Sequence, residues 1–519
     1  MTAIPTRTDR AIAIALFSAT FAALLWTAPS VGFPRDEGTY FAAGERTAAW
    51  VGDLFRSPVA ALSDADIRSH WEWNHEHPGL AKLLFGLSHA LFTDRLHWTN
   101  DATGFRLPAF AFAGLLSAML YLLGLAHSRG AGFFAAFAFW LCPRHFFHGH
   151  LACFDVPITA LWLATLYAYA RSHASHAWAI TTGLLFGCAL AVKHNAYFLP
   201  PVLVLHFLVT ARRVRWHPIP RAFVWMAVFG PLVLVATWPW LWHEGFARWR
   251  WYLGFHTTHV NYPWFYLGRL LREPPFPIVY PLVVTALATP LSIAVAMLLG
   301  ALRWSVRTAR GCATDLEHLL ALNAALCLGL FMIRSTPIFG GLKHWMPGLA
   351  ILCVLSGGVV VEAARAAWPS SPRAAALALG ALVLVPGALG MRLSTYGTAY
   401  YGELAGGLPG AATLGMQRQF WSSHVTAVLP TLNATTPRGA RVNFHEVTWD
   451  SSAYYKRDRL LRNDIQYWND PSTADAVAYQ WHREFRDAEF MAWNRFGERP
   501  IAGLWLDEVP QIALYARWK

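Results

Sequence analysis

The stretch AIAIALFSATFAALLWTAPSVGFPRDEGTYF (residues 11–41) decides the class of this protein, because an apolar run is followed closely by two adjacent carboxylates. The run over residues 11–28 is long enough for an α-helix to cross about 30 Å of hydrocarbon. No A-x-A-like cleavage site with a polar mature start follows it, so we expect a membrane-spanning helix rather than a cleaved signal peptide. Asp36 and Glu37 then lie just beyond the far end of that helix.

The composition indicates a polytopic membrane protein. The chain has 519 residues, of which 55% are hydrophobic and 14% charged, whereas soluble domains carry about 25% charged residues. The apolar residues form runs of roughly twenty, the length of a spanning helix. We predict eleven spans, at 11–29, 107–126, 131–148, 156–170, 178–192, 196–210, 222–240, 278–301, 318–334, 345–364 and 374–392.

The charge pattern predicts the topology. Short basic loops at 126–130, 171–176, 211–221, 303–310 and 364–373 fall on the same side as the N-terminus. The positive-inside rule makes that side cytoplasmic. The net charge of +12 is then explained by topology and lipid headgroups, and no nucleic-acid partner is expected. The six cysteines contain no CxxC motif and imply neither a disulfide framework nor a zinc ribbon.

The topology divides the chain into two parts. Residues 1–392 form a transmembrane domain, and the tail 393–519, with short strand-like segments around a helix, forms a small α/β domain outside the membrane. The first outer loop, 30–106, contains two amphipathic helices, at 38–55 and 78–92, which we expect to lie along the interface. We expect the localisation to be a bacterial-type inner (plasma) membrane, with the N-terminus cytoplasmic and the tail periplasmic or otherwise extracytoplasmic.

Several ionisable residues fall on the outer face, and each has an ordinary structural interpretation. Asp36 and Glu37 could be the charge pair of a helix start, and Asp155 could cap its helix. Lys193 could extend its ammonium to the interface. Residues His75, Glu76 and His77 could be a polar loop or a metal site. Because ionisable groups at span ends are costly and often functional, their collection on one face favours a site there.

The ordered segments resemble the GT-C glycosyltransferases, in the branch of the protein O-mannosyltransferases and the lipid A aminoarabinose transferases. The resemblance covers about 400 residues. Its matching segments are DEGTYF (36–41), HEHPGLAKLLFGLS (75–88), FRLPAFAFAGLL (105–116), PRHFFHGHLACFDVPIT (143–159), GCALAVKHNA (187–196), HVNYPWFYLGRLLREPPFPIVYPLVVTALATPL (259–291), GGLKHWMPGLAIL (340–352) and YYGELAGGLPGA (400–411). Gly79 replaces the second proline of the family H-P-P motif.

The resemblance implies an inverting transferase that moves a sugar from a polyprenyl-phosphate carrier to an acceptor hydroxyl on a protein, lipid or glycan. Asp36 is then the catalytic base, and Glu37 orients it or binds the acceptor or a metal ion. Residues His75, Glu76 and His77 could bind a divalent metal ion. The groups expected to bind the donor phosphate or sugar are Lys82, Arg106, Asp155, Lys193, His259, Lys343 and His344.

Two other functions are compatible with a polytopic chain. A transporter or flippase would bind a lipid-linked or anionic substrate without covalent chemistry, but transporters gather ionisable residues near the midplane between repeated halves. This chain gathers them at one face and shows no repeat. A phosphoethanolamine-type transferase would need a Ser or Thr nucleophile and a dense metal site in its soluble domain, and the tail has no such cluster.

Overall fold

The computed structural model describes residues 4–211 and 219–518. An apolar helix, α1 (Arg7–Thr27), leads into the four helices of the predicted first outer loop, which are α2 (Glu37–Arg56), α3 (Pro58–Ala61), α4 (Asp64–Trp71) and α5 (Gly79–His89). The expected helices at 38–55 and 78–92 are α2 and α5. These two pack so closely that a Cβ on Gly86 would collide with the carbonyl oxygen of Gly44.

The helical bundle follows the predicted spans. Its next helices are α6 (Asp101–Gly124), α7 (Arg129–Trp140), α8 (Pro143–Gly149), α9 (Asp155–Ser172), α10 (His176–Leu190), α11 (Leu199–Ala211) and α12 (Arg221–Ala236). After α13 (Gly245–Thr257) and a small hairpin, β1 (Trp264–Tyr266) with β2 (Arg269–Leu271), the bundle continues. It ends with α14 (Tyr280–Ala288), α15 (Leu291–Ala309), α16 (Asp315–Gly329), α17 (Met346–Ala367) and α18 (Pro372–Gly390).

Two predicted spans are broken by proline. The span expected over 131–148 is divided into α7 and α8 at Pro143, and that over 278–301 into α14 and α15 at Pro290. Proline has no N–H to donate and its ring clashes with the preceding turn, so it kinks or breaks a helix, and at these two positions the helix is broken. The basic loop predicted over 211–221 lies largely outside the described residues.

Six helical stretches in the described chain are long and apolar enough to cross a membrane, and they contain α1, α6, α15, α16, α17 and α18; α10 and α12 are apolar but shorter. The protein is thus a multi-pass membrane protein, as predicted. The count of eleven spans and the direction in which they cross stay predictions. Helix α9 is almost wholly buried at the centre of the bundle, where it packs against α6, α10 and α17.

The tail forms the predicted small domain. After α19 (Gly407–Thr413) and α20 (Leu429–Thr435), it has β3 (Arg441–Phe444), α21 (Trp449–Arg457), β4 (Gln466–Tyr467), β5 (Ala476–Gln480), α22 (Arg486–Phe496), β6 (Ala502–Leu506) and β7 (Val509–Ala516). The sheet order is β4-β3-β5-β7-β6, with β3 parallel to both neighbours and β7 antiparallel to both of its own. The short strand β4 was not predicted. The boundary at 392/393 remains a prediction.

The C-terminal domain rests on the first outer loop. The phenol of Tyr455 in α21 stacks on Phe33 at 4.1 Å and accepts a hydrogen bond from its backbone N–H at 2.7 Å. Arg457 forms an ion pair with Glu45 of α2 at 2.9 Å. These contacts place the tail directly over the start of α2, where Asp36 lies.

Candidate active site

A cavity of about 330 Å³ opens at one end of the bundle. Its wall comes from segments that the topology prediction placed on the outer face. The lining residues used below are Asp36, Tyr40, Glu76, His77, Phe154, Asp155, Lys193, His194, Phe255, His256, His259, Tyr262, Phe331, Phe339, Lys343, His344 and Trp421. Segments far apart in sequence therefore meet at one site.

Asp36 is the N-cap residue of α2, but its side chain makes no capping hydrogen bond. The carboxylate instead faces the cavity, where Oδ2 accepts a hydrogen bond from the indole N–H of Trp421 at 2.6 Å. Asp36 and Glu37 thus lie at a helix start, as their interpretation as a charge pair requires, but the Asp36 side chain does not cap the helix. A carboxylate held by one donor and open to a cavity can accept a proton from a bound molecule.

Trp421 contacts two charged groups of the cavity, and no sequence signal marks it among 26 tryptophans. Its N–H contacts Asp36, while its ring face lies 3.3 Å from the ammonium of Lys343. Its backbone carbonyl accepts a hydrogen bond from the N–H of Arg35 at 3.0 Å. One residue of the tail thus contacts both a carboxylate and an ammonium of the site.

Glu37 points away from the cavity and forms a buried ion pair. Arg106 donates from Nε to Oε1 at 2.8 Å and from Nη2 to Oε2 at 2.6 Å. The backbone N–H of Ala152 also donates to Oε1, and Arg106 donates to the carbonyls of Val31 and Gly32. This pair joins α2, α6 and the segment before α9. The pair therefore has a structural role. The sequence analysis placed both residues in the site, but neither lines the cavity.

Lys193 and Asp155 lie together in the cavity wall. The ammonium donates to Oδ1 at 2.6 Å, and both side chains are more than 90% buried. Asp155 begins α9 and Lys193 precedes a short 3₁₀ helix, His194–Phe198. The two predicted ligands are thus brought together, with opposite charges that compensate each other.

Lys343 has no carboxylate within 4 Å among residues 4–211 and 219–518. Its neighbour His344 also lines the cavity, contacts the carbonyl of Phe339 through Nε2 and stacks on Phe331. His259 also lines the cavity and stacks on the ring of Phe339 at 5.0 Å. All three therefore lie where the sequence placed them, at the site.

Lys82 does not reach the cavity. Its ammonium donates to the carbonyls of Asn74 at 2.6 Å and His77 at 2.8 Å, and so closes the loop before α5. Complete burial lowers the pKa of Lys82 from 10.5 to about 7. The residue predicted to bind phosphate thus holds the loop that carries Glu76 and His77.

The predicted metal ligands diverge. The ring of His75 packs against Trp240 and Trp251, with centroids 4.8 and 4.3 Å away, while His77 faces the cavity. Consecutive loop residues point in different directions, so His75, Glu76 and His77 are not a ligand set. In the described parts of the chain, three metal-binding donors come within 4.8 Å of one another at Asp53, Asp66 and His70, away from the cavity.

Three histidines line the side of the cavity next to Glu76. His194 stacks on His256 at 3.9 Å, and His77 lies 6.1 Å from His256. Burial lowers the pKa of His256 to about 4 and keeps that of His77 and His194 well below 6.5. These rings are neutral at physiological pH and supply polar, uncharged contacts. His194 and His256 were not predicted, since lone histidines in a loop carry no spacing signal.

Comparison with known proteins supports the fold assignment. The family model described as dolichyl-phosphate-mannose-protein mannosyltransferase matches residues 76–243. No curated protein matches the sequence. The structure is similar to ArnT from Cupriavidus metallidurans bound to undecaprenyl phosphate, with a TM-score of 0.53 at 13% identity over 97% of this chain and 98% of that chain.

The apo state of the same ArnT matches with a TM-score of 0.51 at 13% identity, over 97% of each chain. The likeness extends through both the helical bundle and the C-terminal domain, because it covers nearly the whole of both proteins. The predicted resemblance to the GT-C superfamily is thereby confirmed: the chain has the fold of these glycosyltransferases.

Proposed function

We propose that the protein is an inverting glycosyltransferase, which moves a sugar from a polyprenyl-phosphate carrier to an acceptor hydroxyl at the outer face of the membrane. The observation that carries this proposal is the placement of Asp36 and Lys343 around Trp421. One cavity thereby offers a proton acceptor and a cation, which are the two groups that displacement of a phosphate by a hydroxyl requires.

The reaction assigns a role to each charged group. The acceptor oxygen forms a bond to the anomeric carbon while its proton passes to the carboxylate of Asp36. The bond between the anomeric carbon and the phosphate oxygen breaks, and that oxygen keeps the electron pair. Attack from the face opposite the phosphate inverts the anomeric carbon. The phosphate gains a negative charge as it leaves, which a nearby ammonium stabilises.

Lys343 is the principal cation for that charge, because among the residues described no carboxylate lies within 4 Å of it, and Asp155 and Asp36 act on it only from farther away. Lys193 contributes less, since Asp155 already compensates its charge at 2.6 Å. The Asp155 carboxylate is placed to accept hydrogen bonds from sugar hydroxyls in the same cavity. Aromatic side chains at the cavity, including Phe255, Tyr262 and Phe331, suit a prenyl chain.

The similarity to ArnT supports the carrier class, since that protein was solved with undecaprenyl phosphate bound. The alternative of a transporter predicts passage of an intact solute through purified protein without release of carrier phosphate.

The test uses purified protein in lipid nanodiscs with a panel of radiolabelled undecaprenyl-phosphate sugars and a membrane extract as acceptor. Wild-type protein should bind undecaprenyl phosphate, and with one donor of the panel it should transfer the sugar and release the carrier phosphate. Asp36→Asn should bind the lipid but release no carrier phosphate. Asp53→Asn is the matched control, because Asp53 lies on the same helix away from the cavity. Full release by Asp36→Asn, or no lipid binding by wild type, would refute the proposal.

A further inference from the structure

Trp421 and the residue after it have an unusual backbone. Trp421 has φ of 74° and Ser422 has φ of 50°, so two successive residues with side chains occupy the left-handed region. Such residues are disfavoured sterically and persist only where their surroundings hold them. The turn that aims the indole at Asp36 therefore depends on other contacts.

Those contacts come from the C-terminal domain. The hydroxyl of Ser422 lies 2.6 Å from Nε2 of His482, just beyond β5. The side-chain amide of Gln480, the last residue of β5, donates to the carbonyl of Ser422 at 3.0 Å. Ser422 is 2% exposed and Gln480 is fully buried. The side chain and the backbone carbonyl of Ser422 are thus both hydrogen-bonded to residues at the end of β5.

The other ring nitrogen of His482 also has hydrogen-bond partners. Its Nδ1 lies 3.2 Å from Oε1 of Glu484 and 2.8 Å from the amide nitrogen of Gln417. That amide also donates to Glu484 at 2.6 Å. A buried hydrogen-bond network of this kind rigidifies the segment that carries it.

The order serine, histidine, carboxylate is also that of a hydrolase triad. A nucleophile must reach its substrate, whereas the Ser422 hydroxyl is buried and lies outside the cavity wall. Catalysis by Ser422 is therefore not consistent with the structure. What the network does contact is Ser422, the residue next to Trp421, whose indole donates to Asp36.

We propose that Ser422 and His482 are positioning residues, through which the C-terminal domain sets the indole of Trp421 against Asp36 and Lys343. This inference rests on the proposed function for its effect on catalysis. It gives the tail a defined role: β5 and the network hold the catalytic carboxylate in place from outside the bundle.

The first test compares Ser422→Ala with Ser423→Ala. Both serines are 2% exposed, but the hydroxyl of Ser423 has no hydrogen-bond partner among the residues described. Ser422→Ala should lower kcat about 10- to 100-fold, as expected for a slight misplacement of a catalytic group, with little change in KM for the donor. Ser423→Ala should resemble wild type. Equal kcat values for the two variants would overturn the inference.

The second test does not depend on activity. The N–H of Arg35 donates to the carbonyl of Trp421, so hydrogen exchange of the Arg35 amide reports whether the turn is in place. Ser422→Ala and His482→Ala should accelerate this exchange, and His482→Gln, which keeps a side-chain donor, should restore part of the protection. Unchanged exchange in both alanine variants would overturn the inference, even if kcat falls.

The two proposals can fail separately. If wild type releases no carrier phosphate, the proposed function fails, and the Arg35 exchange alone decides whether the network holds Trp421. If wild type is active and Ser422→Ala does not fold, His482→Gln and His482→Ala carry the comparison. Recovery of kcat by His482→Gln relative to His482→Ala supports the inference, and equal losses overturn it.

Discussion

The guanidinium of Arg106 and the carboxylate of Glu37 form a bidentate ion pair, 2.8 and 2.6 Å long, in which both side chains are at most 1% exposed. Burial makes each charge dependent on the other, because neither can recover its hydration. The pair therefore anchors the start of α2 to α6, directly beside Asp36.

Arg106→Met should destabilise the protein strongly, since it leaves the Glu37 carboxylate buried without compensation. Removal of one partner of a buried pair costs about 3–5 kcal/mol. The double variant Glu37→Gln with Arg106→Met should recover much of that loss, because the glutamine oxygen still accepts from Ala152. Thermal unfolding in detergent measures both. A single variant as stable as the double variant would contradict the ion-pair interpretation.

The sequence predicted which residues share a face, because the ends of apolar runs define the two surfaces of a membrane. Asp36, Asp155, Lys193 and Lys343 were located at the site in this way, and the structure brings them to one cavity. The ends of apolar runs locate segments of the chain only to within a few residues. They place a residue on a face without saying which neighbour its side chain meets.

The errors in the prediction follow from that limit. Glu37 and Arg106 lie 69 residues apart, and no periodicity indicates that they pair with each other instead of a ligand. The resemblance assigns Lys82 to the donor, but the turn at 74–77 offers its ammonium two carbonyls. Trp421 was missed because its contact with Asp36 depends on how the tail docks.

Trp421→Phe separates the two contacts of this residue. Phenylalanine keeps a ring for Lys343 but removes the N–H that donates to Asp36. Hydrogen bonds to charged groups contribute about 1.5–3 kcal/mol, so kcat should fall about 10-fold or more. The kcat of Trp421→Ala should be lower still.

Trp481→Phe is the control for this substitution, because its indole N–H has no partner among the residues described and its ring lies off the cavity. The measurement is carrier phosphate release under saturating donor. Equal rates for Trp421→Phe and Trp481→Phe would show that the hydrogen bond to Asp36 is not needed.

Lys343→Met should weaken binding of undecaprenyl phosphate about 10-fold or more, because a charge-assisted contact to phosphate is lost. Lys456→Met, in α21 away from the cavity, should leave the dissociation constant unchanged. Binding to protein in nanodiscs at two salt concentrations measures this, and the salt dependence should be smaller in Lys343→Met. Identical affinities in the two variants would assign the phosphate to another group.

The divalent metal expected from the sequence can be tested separately from the carrier. His75 packs on Trp240 and Trp251 and does not converge with Glu76 and His77. We therefore expect EDTA and His75→Ala to leave carrier phosphate release unchanged. Loss of release in EDTA that returns on addition of a divalent cation would establish a metal requirement and contradict this expectation.

Because of Lys82, the stability of the protein should change with pH above about 7. Burial lowers its pKa to about 7, against 10.5 in the unfolded chain, so between these values the unfolded state binds more protons. The free energy of unfolding should therefore rise with pH from about 7 upward, and this contribution is lost as the pH falls to 7. Lys82→Met should lose that rise, whereas Lys456→Met, with a half-exposed side chain, should keep it. Temperatures of half-unfolding in detergent at pH 7, 8 and 9 measure the slopes, and equal slopes in the two variants would show that Lys82 keeps its charge in the folded protein.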